Sequence, residues 1–214
     1  MSKLPVLDLD LDNVNASLRD KSAGEIVRWA LGLQVPTIST TSMGKNAAVM
    51  LHLVSEQDKK VPVIWVDSGY NLRDTYVVAE RLIEKLDLNM HVFSPQMTSE
   101  RRNAIMGGVP TVDEEERHQE FTRQVKLEPF GRALDTFKPE IWLTGIRREE
   151  TEHRKTLDIV SMDNRGIIKV APIFNWSDDD VEDYMERFEL PTCRHYFDPT
   201  KVHDGRECGL HTAA

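Results

Sequence analysis

Apolar positions along the chain alternate between a helical and an extended pattern. Ser22-Ala23-Gly24-Glu25 has capping-box spacing, a hydroxyl followed three residues later by a glutamate. Behind it Ile26, Val27, Ala30 and Leu31 recur at helical intervals, and Pro36 ends that region. Thr37 to Thr41 is a short β-rich run. The polar stretch Ser42-Met43-Gly44-Lys45-Asn46 separates it from a second helical pattern carrying Ala47, Val49, Met50, Leu51, Leu53 and Val54. Val63-Ile64-Trp65-Val66 is apolar without alternation, as in a strand covered on both faces. Tyr76, Ala79, Ile83 and Leu86 return to the helical period. Residues 90–93, 141–145 and 167–170 are expected to be further strands, and Ser177 to cap a last helix bearing Val181, Tyr184, Met185 and Phe188. Between about 94 and 122 charge is dense and periodicity weak, so a long excursion with some helix is expected.

Strands alternating with helices imply an α/β fold, a doubly wound, mostly parallel, Rossmann-like sheet of five or six strands with right-handed crossovers. Ligands in such sheets bind beyond the carboxyl ends of the strands. Three polar segments follow strands directly, 40–46, 67–70 and 145–154, and they should share one rim.

Composition narrows this picture. The 214 residues suffice for one substantial domain, and 40% apolar residues fit a globular chain. No apolar run approaches the roughly 18 residues of a membrane span. The acidic opening, 1–12, lacks the basic stretch of a secretory signal. Two cysteines cannot make a disulfide framework, so a reducing cytoplasm is the expected compartment. The net charge of −9 argues against tracking a nucleic-acid backbone. A small polyanion can still bind where cations converge, and the densest basic stretch is Arg147, Arg148, His153, Arg154 and Lys155. There is no internal repeat, low-complexity tract or Gly/Ser linker. The expected division is an N-terminal segment (1–21), one main domain (22–192) and a mobile C-terminal tail (193–214).

Four constellations carry candidate chemistry. Ser39-Thr40-Thr41-Ser42-Met43-Gly44-Lys45-Asn46 joins a strand to a helix and offers an anion hydroxyls, amides and a helix dipole. With one glycine it is not the Gly-x4-Gly-Lys-Ser/Thr phosphate loop, and it could simply cap its helix. Asp67-Ser68-Gly69-Tyr70 could contact a ribose or base, or form an Asx turn. Thr144-Gly145-Ile146-Arg147-Arg148-Glu149-Glu150, with Arg154, suits phosphate through guanidinium forks, although its mixed charges also describe a solvated face. In the tail, Arg206 and His211 flank Cys208 and would lower its thiol pKa; the alternative is a terminus with an incidental cysteine. Cys193, His195, His203, Cys208 and His211 are conceivable zinc ligands, but their spacing matches no common finger and no metal is expected.

Together these segments resemble the phosphoadenylyl-sulfate (PAPS) reductase family over most of the chain from about Gly24 onward. Residues 38–44 look like its PP-loop, in an adenine nucleotide α-hydrolase-like fold. Residues 63–70 are similar to its Asp-Thr-Gly-Tyr segment. Lys126-Leu127-Glu128-Pro129 and the arginine-rich segment after Thr144 continue the likeness. Arg206-Glu207-Cys208-Gly209-Leu210-His211 matches the terminal signature closely. The resemblance implies that Cys208 attacks the sulfonate of 3′-phosphoadenylyl sulfate, leaving an S-sulfocysteine that thioredoxin or glutaredoxin resolves to sulfite, in assimilatory sulfate reduction and cysteine biosynthesis. It places Ser39, Thr40, Thr41, Ser42 and Gly44 around anionic groups, and Asp67, Gly69 and Tyr70 on the adenosine side. Gly145, Lys126, Arg147, Arg148 and Arg154 fall at phosphate or sulfonate, with Arg206 and His211 beside the thiol. A homodimer is expected by analogy.

The sequence departs from the family pattern in places. Thr40 and Thr41 stand where serines are usual, Lys45 adds a cation, and the stretch between Leu190 and Arg206 is short. Cys193 has no obvious counterpart; it reads as a core residue in preference to a resolving thiol or a surface residue. The paired cysteines of the cluster-binding adenylyl-sulfate (APS) reductases are absent, which implies the branch without iron–sulfur. Alternatives are APS reduction without a cluster, a PP-loop ATP pyrophosphatase, and a non-catalytic nucleotide- or zinc-binding protein.

Overall fold

A computed structural model describes residues 7, 9–111, 113–193 and 195–201. Helices α1 (Leu11–Leu18) and α2 (Ala23–Gly32) lead into strand β1 (Thr37–Thr41), helix α3 (Ala47–Ser55), β2 (Val63–Val66), α4 (Arg73–Leu86) and β3 (Met90–Phe93). Helices α5 (Ser99–Met106) and α6 (Glu115–Thr122) occupy the excursion, and α7 (Glu128–Phe137) follows it. Then come β4 (Ile141–Leu143), α8 (Glu152–Lys155), β5 (Val160–Met162), β6 (Ile168–Val170) and α9 (Asp178–Arg187).

The strands form one six-stranded sheet in the order β3-β2-β1-β4-β6-β5. All neighbours are parallel except β5, which pairs antiparallel with β6. The doubly wound α/β sheet expected from the sequence is therefore present, with β5 its one antiparallel member. β5 has three residues, too few to show a period, and it is held from outside: Asn15 on α1 exchanges hydrogen bonds with the backbone N–H and C=O of Val160 at 2.8 and 2.9 Å. That amide shields an edge strand as a further backbone partner would. The fourth strand stops at Leu143, two residues before the expected end.

Pleating sends alternate side chains to opposite faces. Ile141 and Leu143 of β4 join the core under α2 and α3, while Trp142 joins Ile38, Ile64, Phe130 and Ala133 under α7. A second cluster under α3 and α4 contains Met43, Leu51, Val63, Trp65, Ala79 and Leu82. Burial on both faces explains the unbroken apolar run of β2. The helix ends follow their sequence signals: Ser22 and Ser177 each cap a helix through a reciprocal box, with Glu25 and Asp180 as partners.

The excursion hid its helices for a physical reason. α5 buries Arg102, which bonds Gln124 through Nε and the Met97 carbonyl through Nη2. A guanidinium at a core position leaves no apolar period to read. Between α6 and α7 the helix widens into a π-helical segment, Arg123–Leu127, that buries both Val125 and Lys126.

His52 of α3 lies against α9. Its Nδ1 is 2.8 Å from the Tyr184 hydroxyl, and its ring packs on Phe188 at 4.5 Å between centroids. Burial holds the imidazole below its usual 6.5, against the opposing pull of Glu56. The folded state thus binds fewer protons than the unfolded one, so the stabilisation is complete above the unfolded value and declines as pH falls through it. His52→Gln is expected to flatten the loss of stability between pH 7 and 5, measured by chemical denaturation; an unchanged slope would show that His52 takes up its proton equally in the folded and unfolded states.

Candidate active site

The sheet reverses direction of winding at β1. The chain runs outward from β1 to β2 and β3, then returns to place β4 on the other side of β1. Connections leaving β1 and β4 in opposite directions open a crevice at their carboxyl ends. A cavity of about 300 Å³ lies there. It is walled by the β1–α3 loop, the segment after β4, the π-helical turn and the strap 196–201.

The β1–α3 loop is shaped by Met43. Its backbone is left-handed, φ 53°, and its side chain is buried as a peg in the core. The Met43 N–H donates to Thr41 Oγ1 at 3.0 Å. Gly44 is spaced by contact: a Cβ there would stand 3.2 Å from Ser42 Oγ and 3.6 Å from the Tyr196 ring. The Asn46 N-cap side chain makes no capping hydrogen bond among the described residues, and Asn46 and Ala47 line the cavity, so the positive end of the α3 dipole faces it. Thr40 Oγ1 accepts from Trp142 Nε1 at 2.8 Å.

On the β4 side, Gly145 passes close over α3, where a Cβ would come within 2.9 Å of Met50 Cγ. Beyond it Glu150 gathers two buried guanidinium groups. Its carboxylate pairs with Arg154, accepts from the Arg147 backbone N–H at 3.2 Å and lies 3.6 Å from Arg147 Nη2, which also reaches Asp178 at 2.7 Å. Across the cavity Lys126 donates to Asp198 and, at 3.0 Å, to Thr200 Oγ1. Burial pushes the Asp198 carboxyl up, but the Lys126 charge and hydrogen bonds from Lys126 and Thr200 outweigh it and hold the group below the usual carboxylate range. Among the described residues Lys45, Lys126, Arg147, Arg154 and Lys201 line the cavity against two carboxylates, Glu150 and Asp198. A cationic excess thus collects in a chain of net charge −9.

Of the residues expected at the site, the structure brings Thr40, Thr41, Ser42, Gly44, Gly145, Lys126, Arg147 and Arg154 onto this one cavity. It places five elsewhere. Ser39 is fully buried between strands. Asp67 organises its own turn, its Oδ1 accepting from Gly69 N, Asn71 Nδ2 and the Tyr76 hydroxyl. Burial and that carboxylate push the Tyr76 phenol up to about 12. Gly69, at φ 79°, serves the same turn, and Ser68 and Asn71 line the cavity in place of their neighbours. Tyr70 turns toward α5, bonding Asn103 at 2.8 Å. Arg148 lies over the Phe174 ring at 5.1 Å.

Arg206, Cys208 and His211 lie outside the described residues, as does His203. Cys193 is buried, 3.4 Å from Thr75 Oγ1, the core position expected of it. No group of three or more potential metal ligands occurs among the described residues. Asp198, Thr200 and Tyr196 line the cavity although the sequence did not single them out; Asp198-Pro199-Thr200 carries only a turn signal.

Residues 36–199 match the family model of the phosphoadenosine phosphosulfate reductase domain. The chain belongs to this family. It is 35% identical to a phosphoadenosine 5′-phosphosulfate reductase of Synechococcus sp., covering 88% of this chain and 81% of that protein. With its namesake from Photobacterium profundum it shares 36% identity over 86% and 72% of the two chains. A solved PAPS reductase from Candida auris, in a phosphate complex, superposes with a TM-score of 0.77 at 23% identity, over 89% of this chain and 91% of that one. That likeness speaks for the fold. The family's match ends at 199, inside the strap that carries Asp198.

The strap depends on a buried ion pair. Lys126→Met strands the Asp198 carboxylate without its cation and is expected to cost about 3 kcal/mol of strap docking. Hydrogen exchange at 196–201 should accelerate accordingly while exchange in β1 and β2 stays slow; unchanged exchange in the strap would show that the pair does not hold it.

Proposed function

We propose that this chain reduces 3′-phosphoadenylyl sulfate to sulfite and adenosine 3′,5′-bisphosphate, using thioredoxin or glutaredoxin as the dithiol reductant. The observation that carries the reading is a cationic cavity at the sheet's switch point, lined by a strap that precedes the cysteine in sequence. Lys201 lines the cavity, and Cys208 follows seven positions later, a distance that a chain spans in at most roughly 25 Å. Family membership and the Arg206-to-His211 signature support it.

In this mechanism the hydroxyls of Thr40, Thr41 and Ser42 and the α3 N-terminus bind anionic oxygens, with Lys126, Arg147 and Arg154 balancing their charge. Preformed pairing with Glu150 keeps the two guanidinium groups oriented, so little rearrangement accompanies binding. The Cys208 thiolate attacks the sulfonate sulfur. A sulfur–sulfur bond forms, the sulfur–oxygen bond to the phosphate breaks, and the bisphosphate leaves with that electron pair. A reductant thiolate then attacks Cys208 Sγ and expels sulfite. Its second thiol resolves the mixed disulfide, so two electrons pass from the dithiol and Cys208 is regenerated. Arg206 and His211 lower the thiol pKa.

Two cysteines in the chain are fewer than the four a [4Fe–4S] cluster normally takes, and the proposal uses none. The reading also places the enzyme in the cytoplasm as a homodimer, serving sulfate assimilation.

Incubation with substrate and no reductant should leave an SO3 adduct on the Cys208 peptide, seen by mass spectrometry. Cys208→Ser should abolish sulfite release and keep bisphosphate affinity within about twofold, since the hydroxyl is a far weaker nucleophile of similar size. Sulfite production by that variant at the normal rate would remove Cys208 from the mechanism.

A further inference from the structure

We infer that Trp142 is a positioning residue: its indole N–H turns Thr40 into a hydrogen-bond donor dedicated to a tetrahedral oxyanion bound in the cavity. The inference rests on the proposed function for which oxyanion is bound, a phosphoryl or a sulfuryl group.

The argument begins with what each group can offer. Indole Nε1–H donates and cannot accept. It stands 2.8 Å from Thr40 Oγ1, so the threonine oxygen is the acceptor. A threonine hydroxyl has one hydrogen, and its torsion is free until a lone pair is engaged. With one lone pair held by Trp142, the hydrogen is confined to the remaining directions around the oxygen. No described residue accepts it, and Thr40 lines the cavity. The proton is therefore left for a guest.

Thr41 repeats the device with a different donor. Its Oγ1 accepts from the Met43 backbone N–H, also a group that only donates. Two adjacent hydroxyls thus have one of their two acceptor lone pairs engaged from the protein side, which biases each toward donating. Together they favour guests that present lone pairs alone, as deprotonated oxyanions do, over guests that present protons. O–H dipoles aimed before binding need no reorientation when the anion arrives.

Trp142 is built to hold this geometry. Parallel pairing sets Ile38 opposite Trp142, and Thr40 lies two residues further along the same face of β1. The indole is fully buried against Phe130 at 5.0 Å. Lys169 Nζ and the Arg165 guanidinium each lie 5.8 Å from its ring. Cations over the π face withdraw electron density and strengthen the N–H as a donor.

The test measures binding of inorganic phosphate, sulfate and adenosine 3′,5′-bisphosphate to the full chain by calorimetry. Five proteins are needed: wild type, Trp142→Phe, Thr40→Val, the double variant, and Thr40→Ser as the conservative control. Thr40→Val is expected to weaken anion binding about tenfold, as loss of a hydrogen bond to a charged group does. Trp142→Phe should weaken it about fivefold alone and less than twofold in the Thr40→Val background, the non-additivity expected of coupled groups. Thr40→Ser should bind like wild type. The indole hydrogen-bond band in ultraviolet resonance Raman spectra should shift in Thr40→Val and persist in Thr40→Ser. An equal loss from Trp142→Phe in both backgrounds would reduce the indole to packing and overturn the inference. Should Trp142→Phe not fold, the Thr40 pair and the Raman band decide: wild-type affinity in Thr40→Val overturns it. Coupling seen with phosphate in a protein that does not bind the bisphosphate would sustain the inference and sink the nucleotide reading. Bisphosphate binding without coupling would do the reverse.

Discussion

The adjacency of β1 and β4 is the constraint on which the rest of the molecule depends. The two strands are hydrogen-bonded along their length, yet the chain leaves them toward opposite edges of the sheet. Backbone cannot cover the gap between those departures, so a crevice forms where both strands end. Two walls of the candidate site follow from which residues occupy those ends: hydroxyls and a helix N-terminus after β1, a glycine and two arginines after β4. Gly145 illustrates the tolerance. Its lack of a Cβ lets the β4 exit pass over Met50 of α3, and a side chain there would force the two walls apart.

Charge at the crevice is arranged as pairs held in reserve. Arg147 and Arg154 are buried, and burying a lone guanidinium would be costly, so Glu150 accompanies them. Lys126 is matched by Asp198 in the same way. The carboxylates satisfy the cations, and the lining keeps an excess of positive charge among the described residues. In the Asp198 pair this has a further result. The carboxylate belongs to the strap, so the interaction that neutralises Lys126 also fastens residues 196–201 against the cavity.

Five of the residues expected at the site lie off the cavity. Side chains alternate between faces along a strand and spread around a tight turn, so a short motif need not put all of them into one cavity. Thr40 enters and Ser39 does not; Arg147 enters and Arg148 lies on Phe174. In the turn after β2 the carboxylate of Asp67 is spent on its own backbone and on Tyr76, and its neighbours Ser68 and Asn71 face inward instead.

Read alone, the chain of residues establishes the alternation of strands and helices, the capping of α2 and α9, and the family, because these are written in local period and local motif. It also identifies which three segments meet at one rim, since strand ends in a parallel sheet share a side. It could not give β5, whose three residues have no period, nor α5, whose buried position is an arginine. The side-chain directions at the site, the pairing of Lys126 with Asp198 across 72 positions, and the bond from Trp142 to Thr40 across 102 were settled by tertiary structure. Such contacts depend on strand register and on the width of the crevice, and neither is encoded in any short stretch of sequence.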